Sequence, residues 1–583
     1  MLFSRLIAFF FIVFFPFAPV AAQTAAEKTK ETETRQIALL EQIAKDAEGL
    51  RLSENRALVA AKLGEGFWRF DEKRAREYFQ TAINELIAAQ MQAEADKKQA
   101  SLLYSLINGV SPRQEILTMI AARDAELALD SFYKSRPAKI SQILINPEEF
   151  KKSNSQQFVQ NEIYFEQTLI TRVGEQNPQR ALKLIRESLS KGITYEIFGL
   201  IEKIKAKDAE LAAQLAGEVA DKLLAADFGK TPQDFSTASS FVTQYGNKPE
   251  ADEKPLKVDE KKLRDLTATV AKTILKGGDE YSYEIENLLP VFEKYSPENL
   301  AALKQRLAKV QNTPERRESA AYEKLMGSEP SPEKILSEAE KYSEAFRNQM
   351  YYAAAEKSAQ NGNFIGAQKI IISKMSQEET ESYLTQINHT LISKAIADEK
   401  YDEAALLINE IPTENSRFTL LVELATSIYQ KNPAENKKQT LAILEQARAL
   451  IPQPAETLEE MSNLMQLAIT IAEIEPEQSF VTIELMTQPI NEYVEASIVV
   501  SKYRGEGTLR QGEIIINGYS GVMGLYNINT VLTTLGNKNF KRTMNFINGF
   551  QRMDVRLSLL LQMIESPAPD AQTETAPTVK TGG

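Results

Sequence analysis

Few residues in this chain have the types and spacing that enzyme chemistry requires. The 583 residues include one histidine, His389, and no cysteine. Zinc, haem and copper centres are built largely from these two residue types, so sites of familiar composition are excluded for practical purposes. A Ser-His-Asp triad would have to use His389, and no Gly-x-Ser-x-Gly turn presents a nucleophile. His389 lies on a predicted helix, where we expect a partly exposed residue without a catalytic role.

Phosphate-binding loops and catalytic carboxylates are also poorly supported. Gly229-Lys230-Thr231 ends like a Walker motif, but Leu224 occupies the position of its first glycine, which the phosphate-wrapping turn needs. The pairs Glu459-Glu460 and Asp279-Glu280 are of the type used in acid–base catalysis. A catalytic acid needs burial to raise its pKa, and both pairs stand among polar residues, so we expect solvated helix faces. The sequence therefore predicts no catalytic, cofactor-binding or metal-ligating residue.

Length and composition indicate a large helical protein. A chain of 583 residues exceeds the usual size of one hydrophobic core, so it must form several domains or an open repeat array. Apolar residues make up 43% and charged residues 25%, which is typical of globular proteins, and glycine is sparse at 25 residues. The formal net charge of −12 would repel a phosphate backbone, so nucleic-acid binding is disfavoured.

The first 22 residues have the pattern of a signal peptide. Arg5 precedes the apolar run Leu6–Phe15, which is too short to span a membrane comfortably. Pro16 ends the run, and Val20-Ala21-Ala22 supplies the small residues that signal peptidase needs. We expect cleavage after Ala22 and a periplasmic or extracellular protein of bacterial type, without a transmembrane segment; an uncleaved anchor is the alternative.

Self-similarity is the most informative feature of the sequence. An aromatic residue is followed by a small residue three positions later, and by an apolar residue three positions after that. This pattern is typical of a tight helix–helix turn, with the small residue where the two helices approach most closely. Weaker copies surround Ala75 and Ala181. The three clear copies are Phe364/Ala367/Ile370, Tyr401/Ala404/Leu407 and Phe540/Thr543/Phe546.

The spacing of these positions predicts the repeat length. Ala367, Ala404, Leu441 and Ser479 follow one another at intervals of about 37 residues, which fits two helices and two short turns. The helices before them also share a pattern. Arg417 and Arg556 are each followed by apolar residues at +3, +4, +7 and +8, and the helices starting at Arg56 and Arg347 follow it more loosely. Such a stripe is buried along one side.

This hairpin pattern, with Gly362-Asn363-Phe364 followed by Ala367, resembles the tetratricopeptide and related α-solenoid repeats. It covers residues 345–490 well and 35–224 more loosely. The resemblance implies an all-α solenoid of repeated antiparallel hairpins that contact their neighbours and expose a long groove for partners.

Breaks in the helical pattern suggest the domain boundaries. Residues 246–261 are charged, contain two prolines and lack apolar periodicity, so we expect a linker between helical-repeat domains at 23–245 and 262–565. Residues 566–583 have the composition of a disordered tail. In the segment 513–522, Asn517-Gly518 stands between β-prone residues and predicts either a short hairpin or an ordered loop. Long ordered loops often carry binding residues, which makes 505–530 a candidate binding loop.

Two features leave alternative functions open. Gly521–Thr530 is similar to the Gly-Ala-x-Gly-Leu-Met-Gln stretch of lytic transglycosylases, whose catalytic Glu-Ser pair would lie about a dozen residues upstream, where this chain reads Gly507-Thr508-Leu509-Arg510. Five aromatic residues cluster in one predicted hairpin, and they predict either core packing or a hydrophobic groove for a peptide. They are Phe67, Trp68, Phe70, Tyr78 and Phe79.

The function favoured by the sequence is an exported scaffold or adaptor that binds protein partners along a concave groove and performs no chemistry. A cell-wall glycan-binding or lytic-transglycosylase-like envelope protein is the alternative.

Overall fold

The computed structural model describes residues 18–95, 111–145, 156–229, 231–247, 256–277, 281–311, 313–411, 413–504, 509–510, 512–516 and 528–564. These residues form 28 α-helices and one two-stranded β-ladder, which confirms the all-α helical-repeat class. They divide into two compact units, one made of residues 1–89 with 484–583 and the other of residues 90–483.

The first unit combines helices from both ends of the chain. Its elements are α1 (Ala18–Ala47), α2 (Ser53–Phe67), most of α3 (Glu72–Ala95), α25 (Thr487–Arg504), β1 (Leu509–Arg510), β2 (Glu513–Ile514), α26 (Ile528–Lys538), α27 (Phe540–Asn548) and α28 (Met553–Ile564).

The second unit holds the helices between them. They are α4 (Pro112–Ala121), α5 (Ala125–Lys134), α6 (Ala138–Ile145), α7 (Gln156–Gln176), α8 (Pro178–Leu189), α9 (Glu196–Lys205), α10 (Ala209–Leu224), α11 (Pro232–Gly246), α12 (Glu260–Lys276), α13 (Ser282–Tyr295), α14 (Pro297–Gln311), α15 (Pro314–Met326), α16 (Pro332–Ala339), α17 (Glu344–Gln360), α18 (Phe364–Lys374), α19 (Gln377–Ala397), α20 (Tyr401–Asn409), α21 (Glu414–Lys431), α22 (Pro433–Ala449), α23 (Leu458–Ile474) and α24 (Pro476–Glu484).

A single polar residue often closes one helix and opens the next. Between α7 and α8, the backbone N–H of Asn177 donates to the carbonyl of Val173 (2.8 Å), and the Asn177 side chain accepts from the N–H of Arg180 (3.1 Å). Both bonds satisfy backbone groups that helix ends otherwise leave unpaired. The same pair of bonds occurs at Asp71, Asp124, Asp208 and Asn539.

The residue four positions after each of these caps is small and fully buried, as the sequence pattern predicts. Its small side chain lets the second helix lie close to the first. The small residues at 0% exposure are Ala75, Ala128, Ala181, Ala212 and Thr543, and they are joined by Ala367, Ala404 and Ser479 of the other predicted copies. In α22 the buried small residue is Thr440, whereas Leu441 is half-buried, so the predicted spacing is off by one there. The overall period of about 37 residues stays a prediction.

Removing one cap tests this connection. We expect Asp208→Ala to lower the local stability of α10 by about 1 kcal/mol, because the N–H of Leu211, which donates to Asp208 over 2.9 Å, loses its acceptor. Hydrogen exchange of the α10 amides measures the effect. The control is Glu210→Ala, an exposed residue of the same first turn, for which we expect a change of only a few tenths of a kcal/mol. Equal effects of the two changes would contradict the assignment.

In two hairpins the first and second helices are joined by a longer turn, and the two turns have the same geometry. Before α18, Gly362 has φ +83°, and the N–H of Asn363 donates to the carbonyl of Ser358 (2.9 Å). Before α20, Glu399 has φ +60°, and the N–H of Lys400 donates to the carbonyl of Ala395 (2.8 Å). Both are Schellman-type helix ends, which need a left-handed residue. Glycine adopts that conformation without steric cost, whereas the glutamate is held in it by the hairpin.

The arginine pattern found in the sequence also has a structural role. Arg56 in α2 donates to the carbonyl of Leu50 (3.1 Å), and Arg556 in α28 donates to that of Phe550 (2.7 Å). Arg347 in α17 donates to the carbonyl of Tyr342 (3.0 Å). In each case the guanidinium reaches back five or six residues and satisfies carbonyls of the chain that enters the helix. In these three helices the shared spacing therefore places an arginine where it satisfies carbonyl groups of the preceding chain.

The β-ladder differs in position from the turn expected in the sequence. Leu509 pairs with Ile514 and Arg510 with Glu513 in antiparallel register, so the two strands run in opposite directions on either side of Gly512. Gly512 has φ +82°, which suits a tight reversal. The Asn517-Gly518 turn lies outside the described residues. The short hairpin exists, but it precedes the predicted turn.

The predicted domain boundaries are only partly within the described residues. Of the linker candidate 246–261, residues 248–255 lie outside them, as do the predicted tail and residues 1–17. The helices on either side of the linker candidate, α11 and α12, pack against each other. Helix α1 runs through the predicted cleavage position after Ala22, and export stays a prediction. Within the described part of the chain, none of the helices combines the length and apolar character needed to cross a bilayer.

Candidate interaction surface

The residues that could have suggested catalysis lie in ordinary helical positions. His389 is half-buried in α19. The carboxylate of Glu460 accepts from the backbone N–H of Thr457 (3.0 Å), and the N–H of Glu460 donates to the Thr457 hydroxyl (3.2 Å). These two reciprocal bonds form a capping box at the start of α23, and the Glu460 carboxylate is a part of it. Asp279, Glu280 and residues 521–527 lie outside the described residues. In the described ranges, no group of three His, Asp or Glu side chains is placed to hold a metal ion.

The aromatic cluster of the first unit is part of the core of a hairpin. Phe67 is 2% exposed and Phe79 is fully buried. The rings of Phe67 and Tyr78 stack with centroids 5.5 Å apart, and the Arg74 guanidinium lies 4.1 Å from the Phe67 centroid. Arg74 also pairs with Glu41 of α1, and this hydrogen bond lowers the pKa of the Glu41 carboxyl. Core packing is therefore the role of Phe67 and Phe79.

A buried ionic cluster in the second unit was not foreseen in the sequence. Arg113 of α4, only 1% exposed, donates through both terminal nitrogens to Glu162 of α7 (2.9 and 3.2 Å). Arg136 pairs with Glu162 (3.0 Å) and with the fully buried Glu166 (2.5 Å). Lys191 adds a further pair to Glu166 (2.5 Å). We call these five side chains the ionic cluster.

The ionic cluster is satisfied by its own members and their neighbours. Arg113 also donates to the carbonyl of Phe132 (2.7 Å) and to the Ser135 hydroxyl (3.0 Å), and its guanidinium stacks 4.6 Å from the Phe132 ring centroid. The hydroxyl of Tyr133 donates to Glu166 (3.2 Å), and burial together with this carboxylate raises the pKa of Tyr133. Buried charges with complete partners hold α4, α5 and α7 in register. The cluster is structural.

The segment predicted as a binding loop is tied into the first unit where it is described. The Glu513 carboxylate accepts from the backbone N–H groups of Arg51 and Leu52, the latter over 3.0 Å, and from the Asn55 amide (3.2 Å). Asn55 also donates to the carbonyl of Ile514 (2.9 Å) and accepts from the N–H of Ile516 (2.7 Å). Leu52 is the N-cap of α2 and has no side-chain oxygen to cap it. Glu513 therefore supplies the missing helix cap from a distant part of the chain.

The other side of this segment contacts α2 and α28. Arg510 forms a buried ion pair with Glu54, and the backbone N–H of Ile514 donates to Asp554 (2.8 Å). The Arg552 guanidinium donates to the carboxylate of Asp554 (2.6 Å) and to the carbonyl of Gly512 (2.7 Å). We call residues 509–510 and 512–516, with these contacts, the clasp. Its role is to join α2 to the last helix of the unit, α28, which leaves its described side chains little freedom for a ligand.

The best candidate for an interaction surface is a set of exposed aliphatic side chains on second helices of hairpins. In α18, Ile365 is 82% and Ile372 is 62% exposed, Leu406 in α20 is 70% exposed, and Val481 in α24 is 49% exposed. Single exposed apolar residues are common, but the same helix face bearing them in several hairpins is not. We call these four residues the aliphatic face.

These residues lie on the same outward side of their helices, at different offsets from the buried small residue. Ile365 and Ile372 lie two residues before and five residues after the buried Ala367. Leu406 lies two residues after the buried Ala404, and Val481 two residues after the buried Ser479. At 3.6 residues per turn, offsets of −2, +2 and +5 all point away from the side that faces the first helix. Three hairpins therefore expose aliphatic side chains on the outward side of their second helix, at offsets that are not the same in all three, and packing within the hairpin does not require them.

The comparisons with known proteins identify no family. No family model matches the chain, and no curated protein matches it. One similar solved structure is a circular tandem repeat protein with novel repeat topology and enhanced subunit contact surfaces. It is 12% identical, with 89% of this chain and 98% of that chain covered, at a TM-score of 0.18. Another is a homology model of the full-length AP-3 complex in an intermediate open conformation, at 11% identity, 95% and 94% coverage, and a TM-score of 0.20. Such TM-scores carry no functional conclusion.

Proposed function

We propose that this protein is an exported scaffold that binds a protein partner through the aliphatic face. The observation that carries the proposal is the exposure of Ile365, Ile372, Leu406 and Val481 on the outward side of second helices in three hairpins. Helical-repeat arrays present such extended surfaces because each hairpin packs on its neighbours and leaves one side of every helix open. Export is part of the proposal and depends on the pattern of the first 22 residues.

Aliphatic side chains at these exposures favour a protein partner. Covering one isoleucine or leucine side chain contributes on the order of 1–3 kcal/mol, so a few of them at the centre of an interface suffice for a stable complex. The surrounding second-helix positions are polar or charged, for example Lys369 and Asp402, which gives an apolar centre with a polar rim. The partner that fits is a folded protein or amphipathic helix with an apolar contact surface.

Site-specific photo-crosslinking tests this proposal in the native envelope. We place a photoreactive phenylalanine analogue at position 365 or 406 and, as a matched control, at position 183. Lys183 lies two residues after the buried Ala181 and is exposed, so it has the same place in its hairpin as Leu406, without the apolar side chain. We expect the same protein adduct from positions 365 and 406 and none from position 183.

A variant pair then measures the contribution of the face. With the captured partner purified, Ile365→Asp combined with Leu406→Asp should weaken binding by about tenfold or more, whereas Lys183→Asp should leave it unchanged. Both changes are on exposed side chains, so helix content by circular dichroism should not change. Adducts of equal yield at all three positions, or a partner whose affinity the double variant leaves intact, would show that the aliphatic face is not the binding surface.

A further inference from the structure

The buried core of the second unit is interrupted at α15. None of the residues of this helix is buried, and the same holds for all the described side chains at 308–309 and 313–329. The helices before and after it bury apolar side chains, for example Leu303 in α14 and Met350 in α17, both at 0% exposure. An inner helix of a repeat array is covered by the repeats on both sides, so α15 stands at a break in the array.

The half-buried side of α15 faces the hairpins that follow it. The apolar side chains of this side, which pack against the core formed within residues 335–391, are Tyr322, Leu325 and Met326. The Glu318 carboxylate accepts hydrogen bonds from the backbone N–H and the hydroxyl of Ser343, just before α17 (2.9 and 2.6 Å). The Tyr322 ring lies 6.3 Å from the Phe346 ring, centroid to centroid. One stripe of α15 is therefore attached to the following hairpins.

Helix α14 has the character of the last helix of the array before this break. Its Arg306 donates to the carbonyls of Leu275 (3.0 Å) and Gly277 at the end of α12, so one side of α14 is fixed to the preceding hairpin. Another side carries exposed residues three or four positions apart, which lie on one face of a helix. They are Ala301, Ala302, Gln305 and Ala308. Exposure of this face is expected at the end of an array, where no further repeat covers it.

Helix packing across α15 differs from that in the rest of the unit. Elsewhere, helices two apart in the chain pack on each other and so join successive hairpins, as α10 does with α12, α12 with α14, α17 with α19 and α19 with α21. Among the described residues, no helix up to α14 packs extensively on a helix from α16 onward, and the packing of α15 on α14 is limited. The two sides of the break are therefore connected chiefly through α15.

The break separates two parts that each have their own core. The described residues of 111–311, which we call the N-terminal array, contain the ionic cluster and buried residues such as Val270. Residues 332–483, the C-terminal array, contain the core around Ile387. Repeat arrays are held together by the interface between each repeat and the next. Where one interface carries little buried apolar surface, the parts on either side can change orientation without unfolding.

We propose that α15 is a hinge about which the N-terminal and C-terminal arrays change their relative orientation. The aliphatic face lies wholly in the C-terminal array, so it moves as one body and its four side chains keep their mutual positions. A partner bound to the aliphatic face alone leaves the hinge free, whereas a partner that contacts both arrays selects one orientation. The hinge lets one chain accept partners of different shapes, and it does not depend on the aliphatic face being the binding surface.

Distances between pairs of spin labels on the full chain test the hinge. The chain has no cysteine, so two introduced cysteines are the only labelling sites. Lys272 in α12 and Gln386 in α19 are exposed and belong to different arrays. We expect Lys272→Cys with Gln386→Cys to give a distance distribution about twofold broader than matched pairs within one array. These pairs are Lys183→Cys with Lys272→Cys, and Gln386→Cys with Gln439→Cys, all at exposed helical positions.

Hydrogen exchange gives an independent readout of the same break. Ile387→Ala leaves a cavity in the C-terminal array and should speed exchange of the slowest amides in α17, α19 and α21 by about tenfold or more, without changing those of α10 and α12. Val270→Ala, at a fully buried position of α12, should give the reverse pattern. Equal widths for all three labelled pairs would overturn the proposal, as would a loss of protection that spreads from either variant into both arrays. The crosslinks at positions 365 and 406 are measured separately, so failure of the hinge is distinguishable from failure of the proposed scaffold function.

Discussion

Replacement of Arg113 by methionine is expected to lower the stability of the second unit by about 3–5 kcal/mol. Arg113 is 1% exposed and is bound bidentately to Glu162, whose side chain is 6% exposed. Methionine fills similar volume but leaves the carboxylate of Glu162 with Arg136 as its remaining cation in the ionic cluster. An ionised carboxylate held away from water with too few partners is costly, and this cost is the main source of the effect.

Hydrogen exchange of the slowest amides in α4, α5 and α7 measures this loss within the unit. Arg172→Met is the matched control, because Arg172 is on α7, the helix that carries Glu162, and forms an ion pair with Glu175 (3.3 Å), but at 53% side-chain exposure. We expect the control to change the free energy of opening by less than about 1 kcal/mol. Arg113→Met combined with Glu162→Met removes the unpaired carboxylate and should recover much of the loss. A single variant no less stable than the control would show that the cluster contributes little.

The second large effect is expected at the clasp. Glu513→Gln should lower the stability of the first unit by about 2–3 kcal/mol, because hydrogen bonds to a charged acceptor contribute about 1.5–3 kcal/mol. The carboxylate accepts from Leu52, Arg51 and Asn55 together, and glutamine presents one carbonyl oxygen and one N–H₂ group to the same donors. The N–H₂ group of the glutamine then faces at least one of these three donors, and two donors cannot form a hydrogen bond. Helix α2 also loses the negative charge at its N-terminus.

Exchange of the amides at the start of α2 reports this change directly. Glu495→Gln is the matched control: Glu495 is in the same unit, its side chain is 54% exposed, and it lies 3.7 Å from Arg552 of the clasp. Its replacement should cost less than about 1 kcal/mol. If α2 exchanges at the same rate in Glu513→Gln and in Glu495→Gln, the carboxylate is not the effective cap of α2.

The helical hairpins could be predicted because their determinants are local. A cap, a small residue four positions later and a 3.6-residue apolar period all lie within one hairpin, so Ala181 and Ala367 were recognisable as close-approach positions. The copies at Ala128 and Ala212 were missed, although Asp124 and Asp208 carry the same caps. The Asp/Asn-x-x-x-small spacing would have found them.

The register of α22 was mispredicted for a local reason. Asn432 caps this helix and Pro433 begins it. In the other hairpins the cap lies four residues before the buried small residue, whereas Asn432 lies eight residues before Thr440, which is one helical turn more. Asn436 then lies four residues before the buried Thr440 and donates to the carbonyl of Ile428 (2.7 Å) instead of capping. An added turn of helix leaves the apolar period unbroken, so periodicity alone could not show it.

The buried charges could not be predicted from the sequence. Arg113 and Glu162 are 49 residues apart, and each looks like one of the many charged residues on solvated helix faces. The partners of Glu513 are more distant still. Burial of a charge depends on which helices meet, and that information lies in the tertiary packing of several hairpins.

The clasp also sets a delay between synthesis and completion of the first unit. Leu52 and the glutamate that caps it are 461 residues apart, whereas the hairpins of the second unit join helices that are adjacent in the chain. At about 5–20 residues per second, a ribosome needs on the order of 20–90 s to make the intervening chain. During that interval α2 exists without its cap and without α28. A nascent chain of this protein therefore carries an incomplete N-terminal region until its last helices have been made, and that region is where a chaperone would be needed for longest.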